Sequence, residues 1–247
     1  MIHVKSEKEI DCLREPCKIV HDTLEFVGSK IKAGMSTKEV DELVERYIRA
    51  SGAIPSCLGY GGFPASACVS VNETVVHGIP DDRLLKEGDI VSVDVVAYKN
   101  GYHGDSARTF RIGKVTPEVD RLVKVTEECF FKGIEGLKAG TPLYDIGYRV
   151  QKHAESFGYG VIRSYTGHGI GKEMHEDPSV PNFGRLGTGV RLKAGTVLCV
   201  EPMIAMGSWR VSLLDDGWGA VTVDGKPAAH YENTLVVRED GVEILTL

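Results

Sequence analysis

The sequence predicts an α+β fold in which two α/β halves are fused into one pseudo-symmetric domain. Three matches carry that expectation, recurring in the same order, the first at an offset of about 106 residues. A Lys-Ala-Gly opening leads into a helical pattern at 32–53 and again at 138–159. A His-x-x-Pro tetrad recurs, from His77 to Pro80 in VVHGIP and from His175 to Pro178 in EMHEDP. A Lys-x-Gly start then leads into an alternating strand that ends in an acid, Asp94 in KEGDIVSVD and Glu201 in KAGTVLCVE. Any one match is ordinary capping or turn chemistry. Three in one order indicate a repeated unit.

The elements can be justified along the chain. The opening stretch MIHVKSEKEIDCLREPCKIV is charged and helical in pattern, with Ser6 and Glu9 spaced as a capping box. Its continuation, 17–31, matches a second helix at 123–137. Ser36 with Glu39 starts the next helix of the first half, whose apolar positions are Val40, Leu43, Val44 and Tyr47. Thr141 followed by Pro142 starts its counterpart, with Ile146 and Val150 at helical spacing. Residues 90–110 read as strand, turn and strand about Asn100-Gly101, the dipeptide favoured by a two-residue type I′ turn. The second half repeats the strand pair, with Glu201 ending TVLCVE and Glu232 near the start of YENTLVV. Between them, His168 and His175 stand seven residues apart, but Gly167, Gly169 and Gly171 argue against a helix there.

The chain has 247 residues, 42% hydrophobic and 26% charged, with a net charge of −6. It is long enough to bury a substantial core and carries no basic footprint for nucleic acid or an anionic membrane. No apolar h-region opens it, and no apolar run approaches the roughly 18 residues of a membrane span. Six cysteines are scattered without a Cys-x-x-Cys pair and read as reduced thiols. The expectation is a cytoplasmic monomer that recognises neither nucleic acid nor membrane.

The carboxylates carry the chemistry. If Asn100 and Gly101 are the central turn residues, Asp94 lies opposite Ala107, and Asp105, two residues along the same strand, shares its face. The two aspartates then form a diagonal pair, roughly 7–8 Å apart at Cα. Val91, Val93 and Val95 take the opposite face. Glu201 and Glu232 repeat the arrangement, so four acids converge, and they would repel strongly without cations between them. His168 can add one imidazole. The set Asp94, Asp105, His168, Glu201 and Glu232 has one nitrogen and no thiolate. It suits two divalent ions such as Mn, Fe(II) or Co, with Zn admissible, better than a structural zinc. Two such ions support metal-assisted hydrolysis.

At these residues the sequence resembles the type I methionine aminopeptidases, in the pita-bread fold shared with proline dipeptidases and creatinase. The resemblance covers nearly the whole chain. It rests on CLGYGGFPASACVSVNETVVHGIP (57–80), VDVVAYKNGYHGDSARTF (93–110), TGHGIGKEMHEDP (166–178), VEPM (200–203) and YENT (231–234). It implies a curved antiparallel sheet with helices on its outer face, in a single catalytic domain over 1–247 with halves near 12–110 and 118–240. It implies a hydrolase that removes N-terminal methionine from nascent proteins when the second residue is small, with the ribosome left open as a further partner.

By the same resemblance Asp105 and Glu232 bridge both ions, Asp94 holds one, and His168 with Glu201 holds the other. Glu201 also handles the proton of the attacking water. His175 hydrogen-bonds the scissile carbonyl and the gem-diolate formed from it, and His77 assists near the second residue of the substrate. The methionine side chain falls to Cys57, Tyr60, Phe63, Cys68, Met174 and Trp218. The family more often has Tyr at 63 and Phe at 174, so side-chain preference stays open. The short stretch between His175 and Glu201 leaves no room for the helical insertion of type II enzymes. Two rivals remain: an X-Pro-type peptidase on the same fold, and a non-catalytic pita-bread binding module. His103 reads as a residue beyond the ligands, and His3, His21, His153 and His230 have no assigned partner.

Overall fold

Two helices and a long hairpin come first in chain order, and two further helices and a series of shorter strands follow. The structure, a computed structural model, describes residues 2–247. The helices are α1 Glu7–Gly28, α2 Thr37–Ala50, α3 Pro117–Ile134 and α4 Tyr144–Ser156. Nine strands make the main sheet: β1 Ile54–Pro55, β2 Ala67–Val71, β3 Ile90–Lys99, β4 Tyr102–Arg111, β5 Gly167–Gly169, β6 Glu176–Val180, β7 Val197–Val200, β8 Glu232–Val237 and β9 Val242–Ile244. Every pairing is antiparallel. β1 and β2 lie along one edge of β3, after which the order runs β4, β8, β7, β5 and β6, with β9 on β8. Two three-stranded sheets stand beside it, one of 160–161, 203–205 and 228–230, the other of 74–76, 211–213 and 220–222.

The turn chemistry places the first hairpin as expected. Asn100 and Gly101 both have positive φ, 54° and 84°, and the register pairs Asp94 with Ala107 and Val96 with Asp105. The predicted capping boxes form. Ser6 N donates to Glu9 Oε2 at 2.9 Å, and Ser36 N donates to Glu39 Oε2 at 2.7 Å. The second-half helix departs from expectation: Thr141 and Pro142 do not start it, and α4 begins at Tyr144. Residues 187–191 already satisfy the backbone there. Pro142 bridges Arg191, Leu143 N donates to Val190 O, and Tyr144 N donates to Thr188 O. The first half shows the same device, with Ser36 bridging Leu84. Gly34 N donates to Leu85 O and Gly140 N to Leu192 O, each at 2.8 Å.

The core explains which strand face is left for chemistry. Ile19, Val20 and Leu24 of α1 and Val40, Val44 and Ile48 of α2 pack on Val91, Val93 and Val95 of β3. Phe130 and Ile134 of α3 and Ile146 of α4 pack on Leu198, Val200, Leu235 and Val237. Strand side chains alternate, so Asp94, Glu201 and Glu232 lie on the faces opposite these packed residues, and farther along that face Val197, Cys199 and Val236 meet Ile10, Leu13 and Cys17 of α1. No described helix is long and apolar enough to cross a membrane.

Candidate metal centre and substrate pocket

Two rows of side chains cross the middle of the sheet. One runs from Cys68 through Asp94 and Ala107 to Glu232, as the registers of β2, β3, β4 and β8 dictate. In the next, Asp105 meets Thr234, which pairs with Cys199, and Cys199 pairs with His168. The acids named from the sequence therefore share one surface. Asp94 hydrogen-bonds Asp105 through its side chain. His168 Nε2 lies 3.7 Å from Asp105 Oδ2 and 3.6 Å from Glu201 Oε1. His168 Nδ1 donates to Gly169 O at 2.9 Å, which leaves the Nε2 lone pair free.

Burial makes the cluster expensive as it stands. Asp105 is 4% exposed, Glu232 2%, and His168 and Glu201 9% each. Desolvation pushes Asp94 up to about 7. It also raises Asp105, Glu201 and Glu232 well above the carboxylate range, with repulsion from the other acids adding to each. His168 is pushed down to about 4, first by burial and then by the nearby His175. Asp105 Oδ1 and Glu232 Oε1 are buried with no hydrogen-bond partner. Four acids, two orphaned oxygens and a free imidazole nitrogen fit divalent cations, which would supply the missing partners and cancel the repulsion.

The close approach of β5 depends on glycine. A Cβ on Gly167 would collide with Cys199 O, and one on Gly169 with Asp177 O, so only a chain without side chains can bring His168 to the cluster.

A cavity of about 340 Å³ opens on the acids. All the residues proposed from the sequence line it: Cys57, Tyr60, Phe63, Cys68, His77, Met174, His175 and Trp218 beside the four acids and the His168 imidazole. Phe63 meets Trp218 edge to face at 5.1 Å, and Cys57, Cys68 and Met174 pack with them. His175 stands at the mouth, its ring 4.3 Å from that of His168, and its Nδ1 is 2.7 Å from the Tyr60 hydroxyl. Desolvation by the pocket walls lowers its pKa and that of His77. His77 holds a positive φ of 59°, strained for a residue other than glycine, and meets Tyr165 edge to face.

Buried carboxylates on a hydrolase-type pocket point to a metallopeptidase, and the family comparison decides the matter. The model of metallopeptidase family M24 matches residues 11–239. The chain belongs to that family.

Within family M24 the chain is 53% identical to a methionine aminopeptidase of Clostridium acetobutylicum, over 100% of this chain and 99% of that one. It is similar to the crystal structure of methionine aminopeptidase from Rickettsia prowazekii, with TM-score 0.98, 43% identity and 100% of both chains covered. Prolidase from Pyrococcus furiosus shares the fold at TM-score 0.80 and 22% identity, with 99% of this chain and 65% of that one covered. The pita-bread fold is thus the fold of this M24 member.

The structure also places residues the sequence reading left out. Cys199 sits in the second row, and its Sγ, with donor atoms of Asp105, His168 and Glu232, falls in a group within 4.8 Å. Its thiol is paired with the Thr234 hydroxyl at 3.6 Å, and burial holds its pKa well up in the metal-free protein. Asp41 of α2 accepts from Ser66 N and Ala67 N at 2.9 and 2.8 Å, tying the end of the pocket loop to the helix layer. His230 lies against Glu201 and Glu232. Cys199 and His230 each precede a glutamate by two residues, so strand periodicity was the available signal.

Proposed function

We propose that this metal-dependent aminopeptidase removes the N-terminal methionine from peptides and nascent proteins whose second residue is small. The observation that carries this reading is the sulfur- and aromatic-lined pocket opening directly onto the acid cluster. Sulfur–aromatic contacts contribute roughly 0.3–1.5 kcal/mol each, so Phe63, Trp218 and Met174 favour a thioether side chain. The whole chain acts as one monomeric catalytic domain, its halves near 12–110 and 118–240. The first gives Asp94 and Asp105, the second His168, Glu201 and Glu232.

These five residues would hold two divalent ions, of Mn, Fe(II) or Co, and the unpartnered oxygens of Asp105 and Glu232 would be among the donors. When bound, such ions polarise a carbonyl oxygen and make water a nucleophile at neutral pH. The protein's own groups do the rest. Glu201, whose Oε1 faces the cluster beside His168, is placed to take a proton from water and return it to the leaving amine. Tyr60 donates its hydroxyl proton to His175 Nδ1, which leaves the proton of neutral His175 on Nε2. Nε2–H then donates to the scissile carbonyl oxygen as negative charge develops there. His77, held by its strained backbone and by Tyr165, contacts the next residue of the peptide and limits its bulk.

The test is hydrolysis of Met-Ala-Ser and Ala-Pro-Ser by metal-stripped protein, with Mn, Fe(II), Co or Zn added back in turn. Cleavage of the methionine peptide alone, restored by metal, is the expected result. Cleavage of the proline peptide instead would overturn the substrate, and cleavage of neither by folded, metal-loaded protein would overturn the activity.

A further inference from the structure

His230 is a buried imidazole at the acid cluster with no assigned task. It ends the strand 228–230, pairs with Met203 across the neighbouring strand, and is 1% exposed. Its backbone is satisfied: N donates to Thr109 Oγ1 at 2.9 Å, and the same hydroxyl is 2.8 Å from His230 O. Its ring is not, because neither Nδ1 nor Nε2 has a hydrogen-bond partner. A buried polar group left unmade is costly, so such a ring calls for a partner at hand. Nε2 lies 3.8 Å from Glu201 Oε2 and 3.9 Å from Glu232 Oε2. His168 approaches the other oxygen of Glu201, Oε1. The Glu201 carboxylate is therefore flanked by an imidazole on each side.

We propose that His230 is a positioning residue for the metal centre, its Nε2–H directed to the Glu201 and Glu232 carboxylates from the side opposite His168. This rests on the metallopeptidase reading. His230 acts through the two glutamates, since its Nε2 faces Glu201 Oε2 at 3.8 Å and Glu232 Oε2 at 3.9 Å. By engaging Oε2 of Glu201 it sets the orientation in which Oε1 faces the centre. The neutral ring has one proton to give, and the two glutamate oxygens are the acidic groups beside Nε2. Outer partners of this kind typically govern metal affinity by 10- to 100-fold.

The experiment compares wild type with His230→Ala, His230→Gln and His230→Asn. Mn²⁺ affinity is read by calorimetry, and kcat and KM are read on Met-Ala-Ser. His230→Ala should bind Mn²⁺ about 10- to 100-fold more weakly and lose kcat, with KM little changed. His230→Gln, whose amide can donate to the same carboxylates, should recover most of both. His230→Asn, too short to reach them, should not, and it stands in for the alanine variant if that one does not fold. Mn²⁺ affinity and kcat within about twofold of wild type in His230→Ala would overturn the proposal. So would a glutamine variant as impaired as the asparagine one, since the ring would then only fill space. If wild-type protein binds Mn²⁺ but cleaves no methionine peptide, the proposed function fails, while the affinity comparison still decides the role of His230.

Discussion

Cation binding should expel protons from the acid cluster, and the number expelled should fall as pH rises. Burial holds Asp94 at about 7 in the metal-free protein and keeps Asp105, Glu201 and Glu232 well above their ordinary values. Protons and cations compete for the same oxygens. At pH 6.5 an acid with a pKa of about 7 is about three-quarters protonated, and at pH 8 about one-tenth. Asp94 alone then releases about 0.8 proton at pH 6.5, and its neighbours, also raised, add to that. The same competition makes affinity about fourfold weaker at pH 6.5 than at pH 8 on account of Asp94 alone. The sign for folding stability follows. Asp94 is raised above 3.8, so its contribution to the metal-free protein is fully present below that pH and is lost as pH rises through about 7. Isothermal calorimetry of Mn²⁺ binding in buffers of different ionisation enthalpy counts the protons. Zero release at pH 6.5 would refute the reasoning, because the acids would already be ionised without cations.

Other expectations concern single side chains. Asp105→Ala or Glu232→Ala should abolish turnover and the binding of a second metal ion, checked by metal analysis and peptide hydrolysis. His175→Ala should leave metal content near normal while lowering kcat by about 10²–10³, the scale for losing one donor to a developing oxyanion; loss of metal would make it a ligand instead. Trp218→Ala should cut kcat/KM on methionine peptides by up to about tenfold through lost sulfur–aromatic and edge-to-face contact, with metal affinity unchanged. Lys5→Met breaks the pair of buried Lys5 with part-buried Glu176, whose chain neighbour is His175. It should cost about 1–2 kcal/mol in denaturant unfolding, because the part-buried carboxylate loses its charged partner.

Much of the centre was legible because its geometry is local. The Asn100-Gly101 turn sets the register of β3 and β4, and the period of two puts Asp94 and Asp105 on one face opposite the valines. The repeat of His-x-x-Pro and of the acid-ended strand carried that logic into the second half. The start of α4 was not legible, because its first backbone donors go to residues more than forty positions away rather than to Thr141. Cys199 and His230 carried the right spacing to their glutamates, but spacing names a face and not the neighbour across it.

The sequence by itself determined the hairpin register and the residue types that a metal centre requires, since turn preference and alternation act over a few residues. Only the tertiary structure decided which side chains meet. β8 lies between β4 and β7, so Glu232 joins Asp94 in one row, while Thr234 bonds Asp105 and pairs with Cys199 in the next. Glycine at 167 and 169 lets a further strand bring His168 against them. Those contacts depend on strand order and on how closely separate backbones approach, which no local pattern specifies.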